Sequence, residues 1–405
     1  MAENRIAIHA SEGAILHSYL LDKATGSLTA VAKVKLPQKA QYGWYHPDGR
    51  HLYVASSDGG PRRAGCDHAL STLRIAPEDG RLSHVAKPQP LPARSVAICL
   101  DGDASNIISI SNEPTGLSLS PIDQQGVAQA GVAQPVEGTL GTFPHQVRVV
   151  PGGEHVVVVA RGYPNSGPRG PAPGALCLFR QVAGRMEPAG FIAPNGGRSF
   201  GARNLDFHPT LPVAYVGLET ENRLIAFPLS DGRITPSAIV DLSTLERPEA
   251  ADPRQIAGSV KVHPRGSFVY AINRADGTDA EGVFHGGENS IAVFRLDGDG
   301  LPSLTGHVPT GGIHARTFAI DPSGQWMVVA NMKPRRIPGG DIVPPSVATF
   351  HLGEDGTPVP CRTHPLPFDS IDLTNAYAPH SGQRSVFWMG LTELPFAAAA
   401  KPTSH

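Results

Sequence analysis

The run FGARNLDFHPTLPVAYVGLETENRLIAF, Phe200 to Phe227, decides the fold. It reads as two β-strands joined by a tight turn and followed by the start of a third, with β-branched and aromatic residues alternating with small or polar ones. The turn is His208-Pro209-Thr210-Leu211-Pro212. Arg203 stands at the start of the first strand, and Glu219 directly follows the second, Val213 to Leu218. In an antiparallel hairpin those two ends are neighbours, so Arg203 and Glu219 are expected side by side.

The same unit recurs along the chain. HPDGRHLYVAS at Pro47, LDGDASNIISI at Leu100, VPGGEHVVVVA at Pro151, HPRGSFVYAIN at Pro264 and DPSGQWMVVAN at Pro322 repeat the hairpin, with 51 to 58 residues between successive markers. A glycine turn closes each β-rich run, at Gly26, Gly80, Gly126, Gly184, Gly232, Gly300 and Gly356. A period near fifty with four short strands per unit indicates an all-β, seven-bladed β-propeller, four antiparallel strands per blade. Two packed sandwiches would not hold so constant a register. The first unit has no leading strand before Arg5-Ile-Ala-Ile-His9, and RSVFWMG, Arg384 to Gly390, is expected to supply it. That C-terminal strand would close the ring and leave no long open edge. One domain is therefore expected over 1–390, with 391–405 a flexible, Ala-rich tail.

Composition narrows the function. Forty-five Gly and 39 Pro suit many turns, while 17% charged residues and a net charge of −2 give no nucleic-acid footprint. No apolar run approaches the ~20 residues of a membrane-spanning helix. The start, MAENRIAIHASEG, has no basic head leading into an apolar core, as a secretory signal would. Cys66, Cys99, Cys177 and Cys361 are scattered and form no CxxC pair, which suits unpaired thiols in the cytoplasm.

The register also marks a site. Six residues before each leading position stand Gln41, Arg94, His145, Arg203, Gly258 and Arg316. Ten residues after four of the prolines stand Ser57, Arg161, Glu219 and Arg274. In a propeller these positions open on one mouth of the central channel, so Arg94, His145, Arg203, Glu219, Arg274 and Arg316 should converge there, with Arg161 and His314 nearby. Singly, each has an ordinary reading: Arg274 or Arg316 as a solvated loop charge, His145 as a turn histidine beside Pro144, Glu219 as a cross-strand partner of Arg203. Together, one carboxylate among several guanidiniums reads as a pocket for an anion.

The repeated HPDGRxLYV-type hairpin and DGRL-type turn resemble the seven-bladed lactonase family, over roughly residues 5 to 390. That family includes propeller-type 6-phosphogluconolactonase and the fungal 3-carboxy-cis,cis-muconate lactonising enzyme. The resemblance implies a site of His145 in FPHQV, Arg203 in GARNLDFHP, Glu219 in YVGLET and Arg274 in AINRADG. The chain departs from the family in carrying Asn204 where members usually have His. It also carries long Gly/Pro-rich segments after second strands: DGGPRRAGCD from Asp58, GYPNSGPRGPAPG from Gly162, ADGTDAEGVFHGGE after Arg274 and KPRRIPGGDIVPP from Lys333. All four should project from the mouth-bearing face as a lid or partner surface.

Opening a lactone needs a base to activate water and positive charge for the oxyanion. Arginine stays protonated, so Arg203 and Arg274 can hold an anion but cannot shuttle protons. A histidine crowded by guanidiniums should stay neutral at pH 7, which makes His145 the candidate base. The same field makes Glu219 a poor acid, suited to orienting an arginine or the water. Arg94, Arg161, His314 and Arg316 are candidates for binding substrate. The histidines include no HExxH, no GxSxG nucleophile elbow occurs, and neither metal nor cofactor is expected. The sequence thus points to a cytoplasmic, metal-independent hydrolase of an anionic, sugar-acid lactone such as 6-phosphogluconolactone. The alternatives are a cycloisomerase closing a carboxy-cis,cis-muconate and an inactive propeller scaffold.

Overall fold

Runs such as VVVVA, Val156 to Ala160, are apolar at every position, which suits a strand covered on both faces. The computed structural model, which describes residues 5–61, 63–136, 138–164, 170–250, 255–367 and 386–394, puts them there. Among the described residues the strands form seven sheets of four or five strands, plus a separate two-stranded sheet. Each of the seven is a blade of antiparallel strands, and together they form a seven-bladed β-propeller.

From blade 2 to blade 7, the inner strand and its hairpin partner come first in each blade. They are Lys39–Tyr45 and His51–Ser57, Ser95–Leu100 and Asn106–Asn112, and Pro144–Val149 and His155–Ala160. Blades 5 to 7 follow with Ala202–Phe207 and Val213–Leu218, Ile256–Val262 and Phe268–Arg274, and Ala315–Ile320 and Trp326–Asn331. Val213–Leu218 and His155–Ala160 are buried along their whole length. Alternate residues of His155–Ala160 serve opposite neighbours. Val156 and Val158 pack with Cys99, Ile108 and Ile110 of blade 3, while Val157 and Val159 pack with Leu205, Phe207 and Val216 of blade 5. The outer strand Arg185–Ile192 of blade 4 is mostly exposed, as a rim strand should be.

The recurring motif residues are hooks between blades. In three blades a tyrosine of the second strand donates to the carbonyl of the next blade's turn glycine: Tyr53 to Gly126 at 2.9 Å, Tyr215 to Gly300 at 2.6 Å and Tyr270 to Gly356 at 2.9 Å. The histidine of the His-Pro turn does the same one layer away, with Nε2 of His208 on the Gly266 carbonyl and that of His263 on the Gly324 carbonyl, both at 2.9 Å. Gly356 takes a positive φ of 78°, and a Cβ there would meet the Phe268 ring at 2.5 Å, so its turn needs glycine on both counts.

The ring closes through the C-terminus, in a register different from the expected one. The closing strand is Met389–Leu394, which pairs with Arg5–Glu12 from Ala10↔Met389 to Arg5↔Leu394. Of RSVFWMG, only Met389 and Gly390 lie in it, while Arg384 and Ser385 fall outside the described residues. Val386 to Trp388 anchor the approach instead. The side chains of Val386 and Trp388 enter the core, and the backbone N–H groups of Phe387 and Trp388 donate to Ser11 Oγ at 3.1 and 3.0 Å. Trp388 fills the space left by Gly43, where a Cβ would lie 2.6 Å from its ring. Leu391 to Leu394, expected in the tail, thus complete blade 1, while 395–405 lie outside the described residues.

A chain ending at Trp388 would expose the backbone edge of Arg5–Glu12 and lose the strand pairing that closes the ring. Its denaturation midpoint should fall well below that of the full chain, with concentration-dependent association in sedimentation. An unchanged midpoint would show that this strand does not close the ring.

Candidate active site

In four blades the site position of the inner strand coincides with a β-bulge. The pairing between inner and second strands slips between Ala40 and Tyr42, Pro144 and Gln146, Ala202 and Asn204, and Ala315 and Thr317. The skipped residues are Gln41, His145, Arg203 and Arg316. A bulge frees its extra residue from the strict alternation of the strand and re-aims its side chain. In blade 6 the slip takes up Gly258 and Ser259, and in blade 3 it takes up Val96, leaving Arg94 just before the strand.

Glu219 is the centre of the group. It is 5% exposed, and its backbone is pinned from both sides, donating to the Gly201 carbonyl and accepting from Ala257 N–H, each at 2.8 Å. Three guanidiniums from three blades close on its carboxylate. Arg161 takes Oε2 and Arg274 takes Oε1, while Arg203 Nε lies 2.8 Å from Oε1. Arg161 also lies over the Phe143 ring at 4.4 Å, and Arg203 donates to Asn204 Oδ1. Asn204, the departure from the family pattern, thus steadies the arginine beside it. Burial alone would raise the Glu219 pKa, but Arg161, Arg203, Arg274 and His145 outweigh it and hold the carboxyl well below its usual range.

His145 stands beside this group, partly buried, with Nδ1 enclosed and without a hydrogen-bond partner among the described residues. Its pKa is driven well below the ordinary value, first by burial and then by Arg203, with Glu219 opposing and Arg316 and Arg161 adding. The direction is the one expected, but desolvation exceeds the guanidiniums as its cause. His314 is shifted the same way, by burial and then Arg274, Lys333, Arg316 and Arg335. It touches the site through Arg274, whose Nη1 lies 3.3 Å from His314 Nε2. Arg316 lies 3.6 Å over the Phe387 ring and donates from Nε to the Phe387 carbonyl at 3.0 Å, which ties the ring closure to the site.

Arg94 is the exception. Its guanidinium donates to Gln41 Oε1 and Asn112 Oδ1, both at 3.0 Å, and it does not reach the Glu219 group among the described residues.

Two features lay beyond the sequence reading. Three residues further along the inner strands, roughly 10 Å deeper at about 3.3 Å per residue, lies a second polar layer. Arg148 pairs with Asp206 at 2.9 Å beneath the Trp44 ring, and Asp206 accepts from Val262 N–H at 3.0 Å. The spacing from His145 and Arg203 was the available signal. The second feature is the packing of two of the expected long segments against each other into one cap. The long segments of blades 6 and 7 meet where Phe284 N–H donates to the Arg336 carbonyl at 2.8 Å, and Phe284, Ala275 and Ile313 form a small apolar cluster with Ile337 and Val343. The two segments are thus one packed unit, which individual loop compositions could not reveal.

Among the described residues, His46, Asp48 and His51 are spaced closely enough to hold a metal, but they occupy the hairpin turn of blade 2, at the far end from the site.

Fold and site define an all-β propeller with a buried carboxylate held by arginines from three blades, beside a histidine of lowered pKa. The chain belongs to the lactonase, 7-bladed β-propeller family, whose model matches residues 7–338. It is 26% identical over 320 residues to a 6-phosphogluconolactonase of Yersinia pestis, covering 78% of this chain and 84% of that protein. A 6-phosphogluconolactonase of Pectobacterium atrosepticum is equally similar over 319 residues, with the same coverage. Among solved structures, a periplasmic gluconolactonase of Pseudomonas aeruginosa superposes with a TM-score of 0.69 at 19% identity, covering 89% of this chain and 96% of that one. A protein from Lactobacillus plantarum gives the same TM-score at 15% identity, covering 97% and 100%.

Removing one partner from a buried ion cluster leaves the others uncompensated and costs about 3–5 kcal/mol. Glu219→Gln should destabilise the fold by that order at pH 7, read from urea denaturation. Because the folded-state pKa of Glu219 is depressed, its stabilisation is present above the unfolded value near ~4.3 and is lost as the pH falls below it. The gap between wild type and variant should therefore narrow at pH 3. Equal midpoints at pH 7 would show that Glu219 does not hold the arginines.

Proposed function

We propose that the protein hydrolyses the lactone of an anionic sugar acid without a metal ion, with 6-phosphogluconolactone the first compound to test. The observation that carries this reading is three guanidiniums, two buried and one partly buried, on one buried carboxylate beside a histidine whose pKa is held well below its ordinary value. Three cations on one anion leave two positive charges for a ligand to balance. The names of the relatives support the lactone, and the charge supports an acidic one.

In the proposed reaction His145 takes a proton from water as the water oxygen attacks the lactone carbonyl carbon. Arg203 and Arg274 face the negative charge that develops on the carbonyl oxygen. The bond from that carbon to the ring oxygen then breaks, and the ring oxygen takes the proton from His145, giving the open-chain hydroxy acid. Glu219 keeps its negative charge throughout, because its depressed pKa makes it unfit to donate, and it holds the arginines in place. Arg161 and Arg316 complete the anion site. Four cysteines that form no disulfide suit a cytoplasmic setting.

The field around His145 gives this mechanism a particular pH signature. An anion bound among the guanidiniums offsets their repulsion of the imidazolium, so the pKa of His145 should be higher in the complex than in the unliganded protein. Since kcat/KM reports the unliganded enzyme and kcat the complex, both should rise with pH and level off, with the kcat limb at the higher pH. A panel of lactones and muconates assayed in chelator tests the reading. Expected is lactone opening that survives chelation, loses its limb in His145→Ala, and falls tenfold or more in Arg203→Ala and Arg274→Ala with the fold intact. Turnover of a muconate alone, with a rate that falls as pH rises, would overturn it.

A further inference from the structure

The charge network of the mouth continues past Glu219 into the cap. Asp276, two residues beyond Arg274, opens the long segment of blade 6. Its carboxylate binds Lys333 Nζ and accepts from Arg335 Nη2 at 3.2 Å, and its backbone carbonyl accepts from Arg335 Nε at 3.0 Å. Both cations belong to the blade 7 segment, so Asp276 ties the two halves of the cap together. Burial would raise its pKa, but Lys333, Arg335 and Arg274 hold it below the ordinary value, so the carboxylate stays charged.

On its other side Asp276 faces the site. Its Oδ2 lies 3.6 Å from His314 Nδ1, beyond hydrogen-bond distance, so this contact is electrostatic and leaves Nδ1 without a hydrogen-bond partner among the described residues. His314 Nε2 lies 3.3 Å from Arg274 Nη1. A guanidinium can only donate, so Nε2 must carry the lone pair and the imidazole proton must sit on Nδ1, toward Asp276. The backbone is fixed to match. Asn289 Oδ1 accepts from His314 N–H at 2.8 Å and from Ala275 N–H at 3.2 Å, and Asn289 Nδ2 donates to the Ala275 carbonyl at 3.1 Å. One side chain thereby sets the spacing between the start of the cap and His314. His314 itself has φ 58°, an unusual conformation for a non-glycine residue that its surroundings must hold in place.

We infer that Asp276 is a positioning residue: from beneath the cap it orients His314, and through His314 it holds the Arg274 guanidinium against Glu219. The inference rests on Arg274 belonging to the working site, as proposed above. It also makes the cap a fixed wall, because opening it would pull Asp276 away from His314 or from Lys333 and Arg335.

The sign of a charge-neutralising substitution separates this role from simple charge balance. Removing a negative charge near an anion site strengthens long-range attraction for the ligand, so Asp276→Asn would raise kcat/KM if only the field mattered. Loss of positioning predicts the opposite, a fall of roughly tenfold to a hundredfold, because a misplaced binding group can cost about that much. Asp276→Glu should recover part of the loss. Asp276→Asn combined with Lys333→Met restores the local charge count and should not recover it. Unchanged or raised kcat/KM in Asp276→Asn, or recovery in the double variant, would overturn the inference.

A readout independent of turnover is the ¹⁵N spectrum of the histidines, with His314 assigned by its loss in His314→Gln. The wild type should show the proton on Nδ1, and Asp276→Asn should shift it toward Nε2. A proton on Nε2 in the wild type overturns the inference, whether or not the variants fold. If no lactone is turned over, the proposed function fails while the spectrum still decides this point. Calorimetric titration with inorganic phosphate then replaces kcat/KM: weaker binding in Asp276→Asn supports positioning, and tighter binding overturns it.

Discussion

The site depends on one arrangement: a buried carboxylate held by guanidiniums from three different blades. No two of Arg161, Arg203 and Arg274 share a sheet, so their meeting at Glu219 is a product of the whole ring. Burying three charges and half-burying a fourth is expensive, and the mutual attraction repays it only when the geometry is close and well bonded. The ring supplies that geometry through repeated, mutually supporting contacts. Tyrosine and histidine hooks join blades 2 and 3, 5 and 6, and 6 and 7, and the C-terminal strand removes the last freedom by tying the final blade to the first. Arg316, held against Phe387 beside that strand, brings the closure itself into the site.

The bulges explain how a regular scaffold delivers irregular chemistry. A perfect inner strand would send alternate side chains into the two neighbouring blade interfaces, where apolar residues belong. One extra residue near its start breaks that alternation and frees a side chain without disturbing the packing that follows. His145 and Arg203 both use this device, and both are followed at once by residues that resume the ladder, Gln146 and Asn204. The chemistry and the core therefore place separate demands on different residues of one strand.

That separation is also why so much was legible in the sequence. Repetition made the register countable, and a counted register placed Arg203, Glu219, Arg274 and His145 together before any distance was known. What stayed hidden depends on contacts without a period. The closing strand was shifted because RSVFWMG is more apolar than LTEL, yet Val386 and Trp388 spend that apolarity on core packing rather than on pairing. The cap was hidden because Asp276 finds its partners across two irregular segments, and neither segment encodes the other. The loss of Arg94 from the group has a similar cause. Its register position is right, but the bulge of blade 3 falls on Val96, and Gln41 and Asn112 capture the guanidinium.

The excess of positive charge bears on selectivity as well as binding. A neutral lactone could enter the mouth, but it would leave the guanidiniums unbalanced and His145 as weak a base as in the empty site. An anionic lactone would balance them and raise the basicity of the same histidine. Charge on the substrate would then act twice, once in holding it and once in activating the water that attacks it. Discrimination between acidic and neutral lactones should consequently reside in kcat as well as in KM, because the binding charge and the catalytic base occupy one electrostatic field.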